Sequence, residues 1–407
     1  MDRRSFLFGT GTLLLGQLLA GCNTQERAKL RVQLLKGSLP NQVLQKFRTK
    51  MQQTASLEFA SVEQLSSLFD RLQSWQQNNQ KPIEEDWRSQ LPLPSWLKPQ
   101  NPNPANLVTV GDYWLAAAIR QNLIQPLDPT QLSQWSQLPN RWQELVRRNQ
   151  AGQFDAKGNV WAAPYRWGYT VIAYNRDKFK SLNWKPQDWG DLWREELRDR
   201  ISLPNHPREV IGLTLKYLGK SYNTENPSQV PDLTVQLNRL QPQVKLYSSD
   251  TYLQPLILGD TWLAVGWSND IIPVMQRHRQ IAAIIPQSGT SLWADLWANP
   301  IQANSDRALE YQWIDFCWQP QIARQILLFG RTNSPIPFQI DPDNIQAELR
   351  PLLVPNDNIL DKSEFLRPLD PDAIQQYQAL WKGMREKSSS QKSKVKSQKP
   401  EVESDKR

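Results

Sequence analysis

The sequence predicts an α/β fold built on parallel sheets whose two faces are covered by helices. Three observations predict it. Apolar runs of strand length alternate with amphipathic helical stretches along most of the chain. Several helix starts carry capping chemistry, with proline in the first turn or an acid before it. The length of 407 residues accommodates two domains of roughly 100–200 residues each.

Taken in order, residues 30–35 read as the first strand and 41–53 as an amphipathic helix. Ser61 is the expected cap of a second helix with Leu65, Leu68 and Leu72 on one face. Residues 79–106 hold six prolines and read as a long surface excursion before a strand at 107–110 and a short helix at 114–121. Strands at 171–174 and 201–203 follow, then a helix from Pro207 to Leu218 closed by Gly219, then buried strands at 262–266 and 281–285. Ser305 is the expected cap of a helix reaching Trp318, and another helix follows Pro320. Asp370 and Pro371 open the last helix, expected to end at Met384. Residues 386–407 offer two valines to bury among Ser, Lys, Glu and Gln, so this tail is expected to be disordered.

The formal charge of +8 is no nucleic-acid signal, because half of it is terminal: residues 386–407 alone carry seven Lys/Arg against four Asp/Glu. The remainder holds no basic stripe of the kind that tracks phosphates. Two cysteines and two histidines are too few for a disulfide framework or a soft-ligand metal site. The chain has no Gly-rich phosphate cradle, no Gly-x-Ser-x-Gly elbow and no His-Glu-x-x-His pattern, so neither an enzyme nor a cofactor is expected.

At the N-terminus, Arg3 and Arg4 precede an apolar run from Phe6 to Ala20, too short to span a bilayer and laid out as a signal peptide. It ends in Leu19-Ala20-Gly21-Cys22, which looks like a lipobox; Cys22 is the expected site of lipidation, and residues 22–29 a tether. The arginine pair resembles a twin-arginine signal, with Asp2 before it and Phe8 after it as departures. The mature protein is therefore expected outside the cytoplasm, periplasmic and held to a membrane by its lipid.

Three local patterns carry chemistry. Gly111-Asp112-Tyr113-Trp114 joins a strand to a helix and puts Tyr113 at the C-terminal edge of a sheet, where α/β proteins bind ligands. Asn205-His206-Pro207-Arg208-Glu209 opens a helix, where Glu209 either complements the dipole or meets a ligand. Trp293-Ala294-Asp295, if extended, puts an indole and a carboxylate on one face, suited to the stem and head of an alkylammonium. Among the 18 tryptophans, Trp167, Trp267, Trp293 and Trp297 sit near turns and strand ends, where aromatics suit ligand stacking.

With these residues the sequence resembles the periplasmic spermidine/putrescine-binding proteins, the solute-binding components of ATP-driven importers. Further matching motifs are Leu123-Ile124-Gln125-Pro126-Leu127-Asp128, Ala163-Pro164-Tyr165-Arg166-Trp167-Gly168 with Ile172-Ala173-Tyr174-Asn175, Pro207-Arg208-Glu209-Val210, and Ala264-Val265-Gly266-Trp267-Ser268. The resemblance runs from about residue 30 to 384. It implies a two-lobe periplasmic-binding-protein fold, with lobe 1 from residues 30–165 and 290–330, lobe 2 from 166–289 and 331–385, and the ligand cleft between them. It also implies ligand contacts from Tyr113, Glu209, Trp267, Trp293 and Asp295. Four positions depart from the family pattern: Lys36 and Ser38 replace an aromatic pair, His206 an acid, and Arg331 a tyrosine. Lys36, His206 and Arg331 are expected to bring positive charge toward the ligand and to alter specificity.

The implied function is that of a monomeric, lipid-anchored protein carrying a small cationic or zwitterionic, polyamine-like solute to the permease of an ABC importer. The alternative is a sensor or assembly lipoprotein of the same fold with a degenerate pocket.

Overall fold

The computed structural model describes residues 28–80, 104–301, 303, 307–354 and 356–397. Cys22, the signal peptide, most of the proline-rich excursion and Ser305 lie outside the described residues. The first lobe opens with β1 (Ala28–Leu35), α1 (Asn41–Met51), β2 (Ala55–Val62), α2 (Leu65–Gln80), β3 (Leu107–Gly111) and α3 (Asp112–Arg120). Then come the long strand β4 (Ala163–Asn175), β5 (Ile201–Leu203), α4 (Pro207–Tyr217), β6 (Val244–Tyr247), β7 (Leu263–Trp267), α5 (Ser268–Arg277), β8 (Ile281–Ile284) and β9 (Ser291–Pro300). Helices α6 (Arg307–Cys317), α7 (Pro320–Gly330) and α8 (Pro371–Ser397) follow among shorter turns.

The strands join in the order β2-β1-β3-β9-β4-β7-β5-β6. This sheet is mixed, where the alternation of strands and helices predicted parallel pairing. Neighbours connected through helices are parallel, as in β1 with β2 and β3, and β5 with β6 and β7. Every pair that joins β4 to β7, β8 or β9, or β9 to β3, is antiparallel. The exception has a topological cause: β4 and β9 pass from one lobe to the other. The first half of β4 pairs with β9, and its second half with β7 on one edge and β8 on the other. All thirteen residues of β4 are buried.

Two further corrections concern local structure. Ser61 lies in β2, not at a helix start, because Ala55–Val62 registers residue for residue alongside β1. The last helix continues past Met384 to Ser397, where disorder was expected; from Arg385 onward the chain meets no proline or glycine until Pro400, and Lys, Glu, Gln and Ser tolerate helix.

One hydrophobic cluster gathers Val32, Phe47, Leu107, Trp297, Trp313 and Trp318 with the apolar residues of 336–353; the other gathers Trp189, Leu203, Val210, Leu237, Val265 and Tyr377. Side chains of this size stabilise by about 1.5–3 kcal/mol each when fully buried. Cys317 is a fully buried free thiol inside the first cluster, its pKa pushed up by burial. Trp167 and Trp297 are also core residues: Trp297 stacks on Tyr165 at 4.1 Å, and the Trp167 indole donates to the Ser334 carbonyl.

Candidate functional site

The C-terminal ends of β3, β5 and β7 meet the crossing strands, and the singled-out residues gather there. From β3, Gly111 leads directly into α3, whose first turn holds Asp112 and Tyr113. Asp112 accepts from the Ala294 amide at 3.0 Å, which ties this turn to β9; burial raises its pKa to about 7 against the opposing Ala294 bond and Arg148 charge. Tyr113 is about half exposed (48%) and meets the His206 ring edge-on at 4.9 Å, so one lobe touches the other here.

On the second lobe, His206 caps α4 with Pro207 in the first turn, its Nδ1 accepting from the Glu209 amide at 3.3 Å. Burial and the neighbouring Arg208 lower its pKa to about 4. The expectation that His206 adds positive charge is therefore corrected: at neutral pH the ring is an uncharged acceptor. Glu209 is 4% exposed and lies against the crossing strands, with Thr170 Oγ1 3.3 Å from Oε1 and Ser291 Oγ 2.7 Å from Oε2; the Trp267 indole also donates to it. Burial raises its pKa, opposed by these donors and by Arg208. The dipole reading of Glu209 is thus incomplete, because the carboxylate reaches beyond its helix to β4 and β9.

Trp267 and Trp293 are both partly exposed, at the end of β7 and on β9. The Trp293 indole lies over Gly168, its cross-strand partner, and donates to the Tyr169 carbonyl at 3.3 Å. A Cβ at Gly168 would sit 2.5 Å from Trp293 Cζ2 and closer still to Ser268 Oγ, so this crossing needs glycine. Asp270, in the first turn of α5, accepts from the Tyr252 hydroxyl at 3.1 Å and the Asn269 amide at 2.9 Å.

Asp295 is not an open carboxylate. It faces Arg166 directly across the β4–β9 ladder, and Arg166 Nη2 and Nε lie 2.5 and 2.6 Å from Oδ2, both side chains at most 4% exposed. Burial opposes the charge on Arg166, but Asp295 and Tyr165 outweigh it and hold the guanidinium above its ordinary pKa. The sequence contained the signal: Arg166 is the one charged residue in a wholly buried strand, and a buried charge requires a partner. Thr170 and Ser291 carried no such signal, since isolated hydroxyls on strands are unremarkable in a sequence.

The remaining departures are Lys36, Arg331 and Ser38. Lys36 is exposed and paired with Glu63 at 2.6 Å, so its charge is taken at the surface. Arg331 ends α7 in the left-handed conformation, φ 57°, an ordinary helix-terminal role. Ser38 is fully buried with its hydroxyl toward Tyr165, which in turn lies 3.2 Å from Thr109 Oγ1.

This architecture agrees with known proteins. The family model described as bacterial extracellular solute-binding protein matches residues 103–363. The spermidine/putrescine-binding periplasmic protein of Escherichia coli is 28% identical over 249 residues, covering 60% of this chain and 68% of the relative. The spermidine/putrescine-binding periplasmic protein 1 of Haemophilus influenzae is 24% identical, with 69% and 74% covered. Among solved structures, the spermidine/putrescine ABC transporter substrate-binding protein PotD of Streptococcus pneumoniae superimposes with a TM-score of 0.71 at 18% identity, covering 88% of this chain and 98% of that one. The TpPotD lipoprotein of Treponema pallidum gives 0.62 at 20% identity, covering 88% and 99%. A two-lobe α/β architecture and a family match across most of the described chain lead to one conclusion: the protein belongs to the bacterial extracellular solute-binding proteins.

Proposed function

We propose that this protein is a lipid-anchored solute-binding component that captures a small cationic or zwitterionic amine in the cleft between its lobes and presents it to the permease of an ABC importer. What supports this reading is the buried carboxylate of Glu209, set against the hydroxyls of Thr170 and Ser291 with Trp267 beside it, on a helix whose cap His206 meets Tyr113, while Trp293 stands on the same strand as Ser291. A carboxylate supplies the counter-charge for an ammonium, and indole faces cover its methylene stem. The names of the similar relatives point to the same ligand class.

Capture proceeds by lobe closure about β4 and β9. Glu209 is in contact with Thr170 on one crossing strand and Ser291 on the other. A ligand amine at Glu209 therefore acts on the segments that bend, which favours the closed form by its differential affinity for the two states. Lipidation at Cys22 holds the protein beside its permease; Cys22→Ser is expected to release it from membranes, and retention after a carbonate wash would refute the anchor. A thermal-shift screen of alkylamines, diamines, polyamines and amino acids tests the ligand class. A ligand at about 100 times its Kd stabilises by about 2.7 kcal/mol, and no shift from any amine would refute the reading. The second reading, a sensor or assembly lipoprotein of this fold, is favoured by one observation, the Arg166–Asp295 pair that already occupies one of the two expected carboxylates.

A further inference from the structure

We propose that Arg166 is a built-in occupant of the cation subsite at Asp295, so that this pocket takes ligands with a single ammonium group, anchored at Glu209, and discriminates against diamines. The inference rests on the proposed amine-binding function and narrows its substrate class.

Three observations carry it. First, the pair is set by backbone register: Arg166 and Asp295 are directly opposed in the β4–β9 ladder, so the guanidinium reaches Asp295 without a detour of either strand. Second, the guanidinium carbon lies 5.7 Å from the Trp293 ring centroid, so the indole expected to cover the ligand stem next to Asp295 already has a cation beside it. Third, the two expected carboxylates are unequal. Asp295 is neutralised by a side chain that is protonated at every physiological pH. Glu209 is approached by hydroxyls and an indole, and among the described residues no cation lies within ion-pair distance of it.

An ammonium entering beside Asp295 would have to displace Arg166 or accept a like charge next to it. Displacement strips a buried guanidinium of its partner, and juxtaposition is repulsive in a poorly solvated site. Either route penalises the second ammonium of a diamine, while a neutral or anionic end meets no such penalty. The other acids near this position are engaged: Asp112 by the Ala294 amide, Asp270 by Tyr252 and Asn269. A chain bearing one ammonium and a neutral or carboxylate end is the ligand class that fits.

The test compares n-butylamine, 4-aminobutanoate and 1,4-diaminobutane, which share a four-carbon chain, by isothermal titration of the full mature protein. Wild type is expected to bind at least one of the first two at least tenfold more tightly than the diamine. Arg166→Met frees Asp295 and is expected to raise diamine affinity at least tenfold. Arg166→Gln, which keeps a donor for Asp295 without the charge, is expected to do the same if the methionine variant folds poorly. Diamine binding by wild type equal to or tighter than that of both monoamines overturns the proposal and leaves the amine-binding function standing; loss of that binding in Asp270→Asn would locate the second ammonium there. Diamine binding that appears only in the Arg166 variants upholds the role of Arg166 and overturns amine capture by the natural protein. No binding to any of the proteins overturns both.

Discussion

Replacing Glu209 with glutamine separates a binding carboxylate from a helix-capping one, because the two roles predict opposite changes in the ligand-free protein. If Glu209 mainly complements the α4 dipole, neutralising it removes a favourable interaction worth about 0.3–1 kcal/mol, and the apo protein becomes less stable. The structure argues for the reverse. Glu209 is 4% exposed and burial raises its pKa, so the ionised carboxylate costs the apo fold free energy. The sign follows from linkage: a raised carboxyl pKa means the folded state holds its proton more tightly, so this contribution is present at low pH and lost as pH rises through the folded pKa. Glutamine carries no charge and keeps an oxygen for Ser291 or Thr170. Apo Glu209→Gln is therefore expected to be at least as stable as wild type at pH 7.5, with the difference shrinking at acidic pH. Ligand affinity should move the other way. An ammonium left in a closed cleft without its carboxylate costs about 2–5 kcal/mol, roughly a 30-fold to several-thousand-fold rise in Kd. Urea denaturation of the apo proteins and titration with the amines that shift wild-type melting measure the two quantities. A destabilised apo variant with unchanged affinity would refute the reasoning and return Glu209 to its helix.

Gly168→Ala should cost about 1–3 kcal/mol despite the better strand propensity of alanine, because the new methyl collides with Trp293 and Ser268; urea midpoints measure it, and a blue- or red-shift of tryptophan emission should accompany it. His206 has a folded pKa of about 4 against an ordinary 6.5, so its contribution to stability is present above the ordinary value and lost as pH falls toward 4. Wild type should therefore lose stability over that window relative to His206→Asn, which caps without titrating, with a slope of at most about 1.4 kcal/mol per pH unit, the limit for one proton; parallel pH profiles of the two proteins would refute the assignment.

What could be read from residues alone is what local chemistry dictates. Helix starts at Pro207, Pro320 and Pro371 were legible because proline's fixed φ and missing N–H make it a first-turn residue wherever it occurs. The buried runs at β3, β5, β7 and β8 were legible because an apolar run bounded by turn chemistry has few other fates; that Tyr113 and Glu209 belong to one site was implied by the family resemblance, not by the residues alone. Pairing was not legible. Whether β4 runs parallel or antiparallel to its neighbours depends on its passage between lobes, and hydrogen-bond direction across a sheet leaves no trace in side-chain order. Serine favours caps locally, which points Ser61 to a helix start, while the whole of β2 is held in place by its ladder with β1. The same limit governs the site. Departures from the resembled family's pattern made Lys36, His206 and Arg331 the expected sources of positive charge, yet Glu63 takes the first, burial opposes the charge on the second and the third ends a helix. The cation that reaches Asp295 is Arg166, distant in sequence and adjacent in register, because only the fold brings two charges together and removes the water that would have screened them.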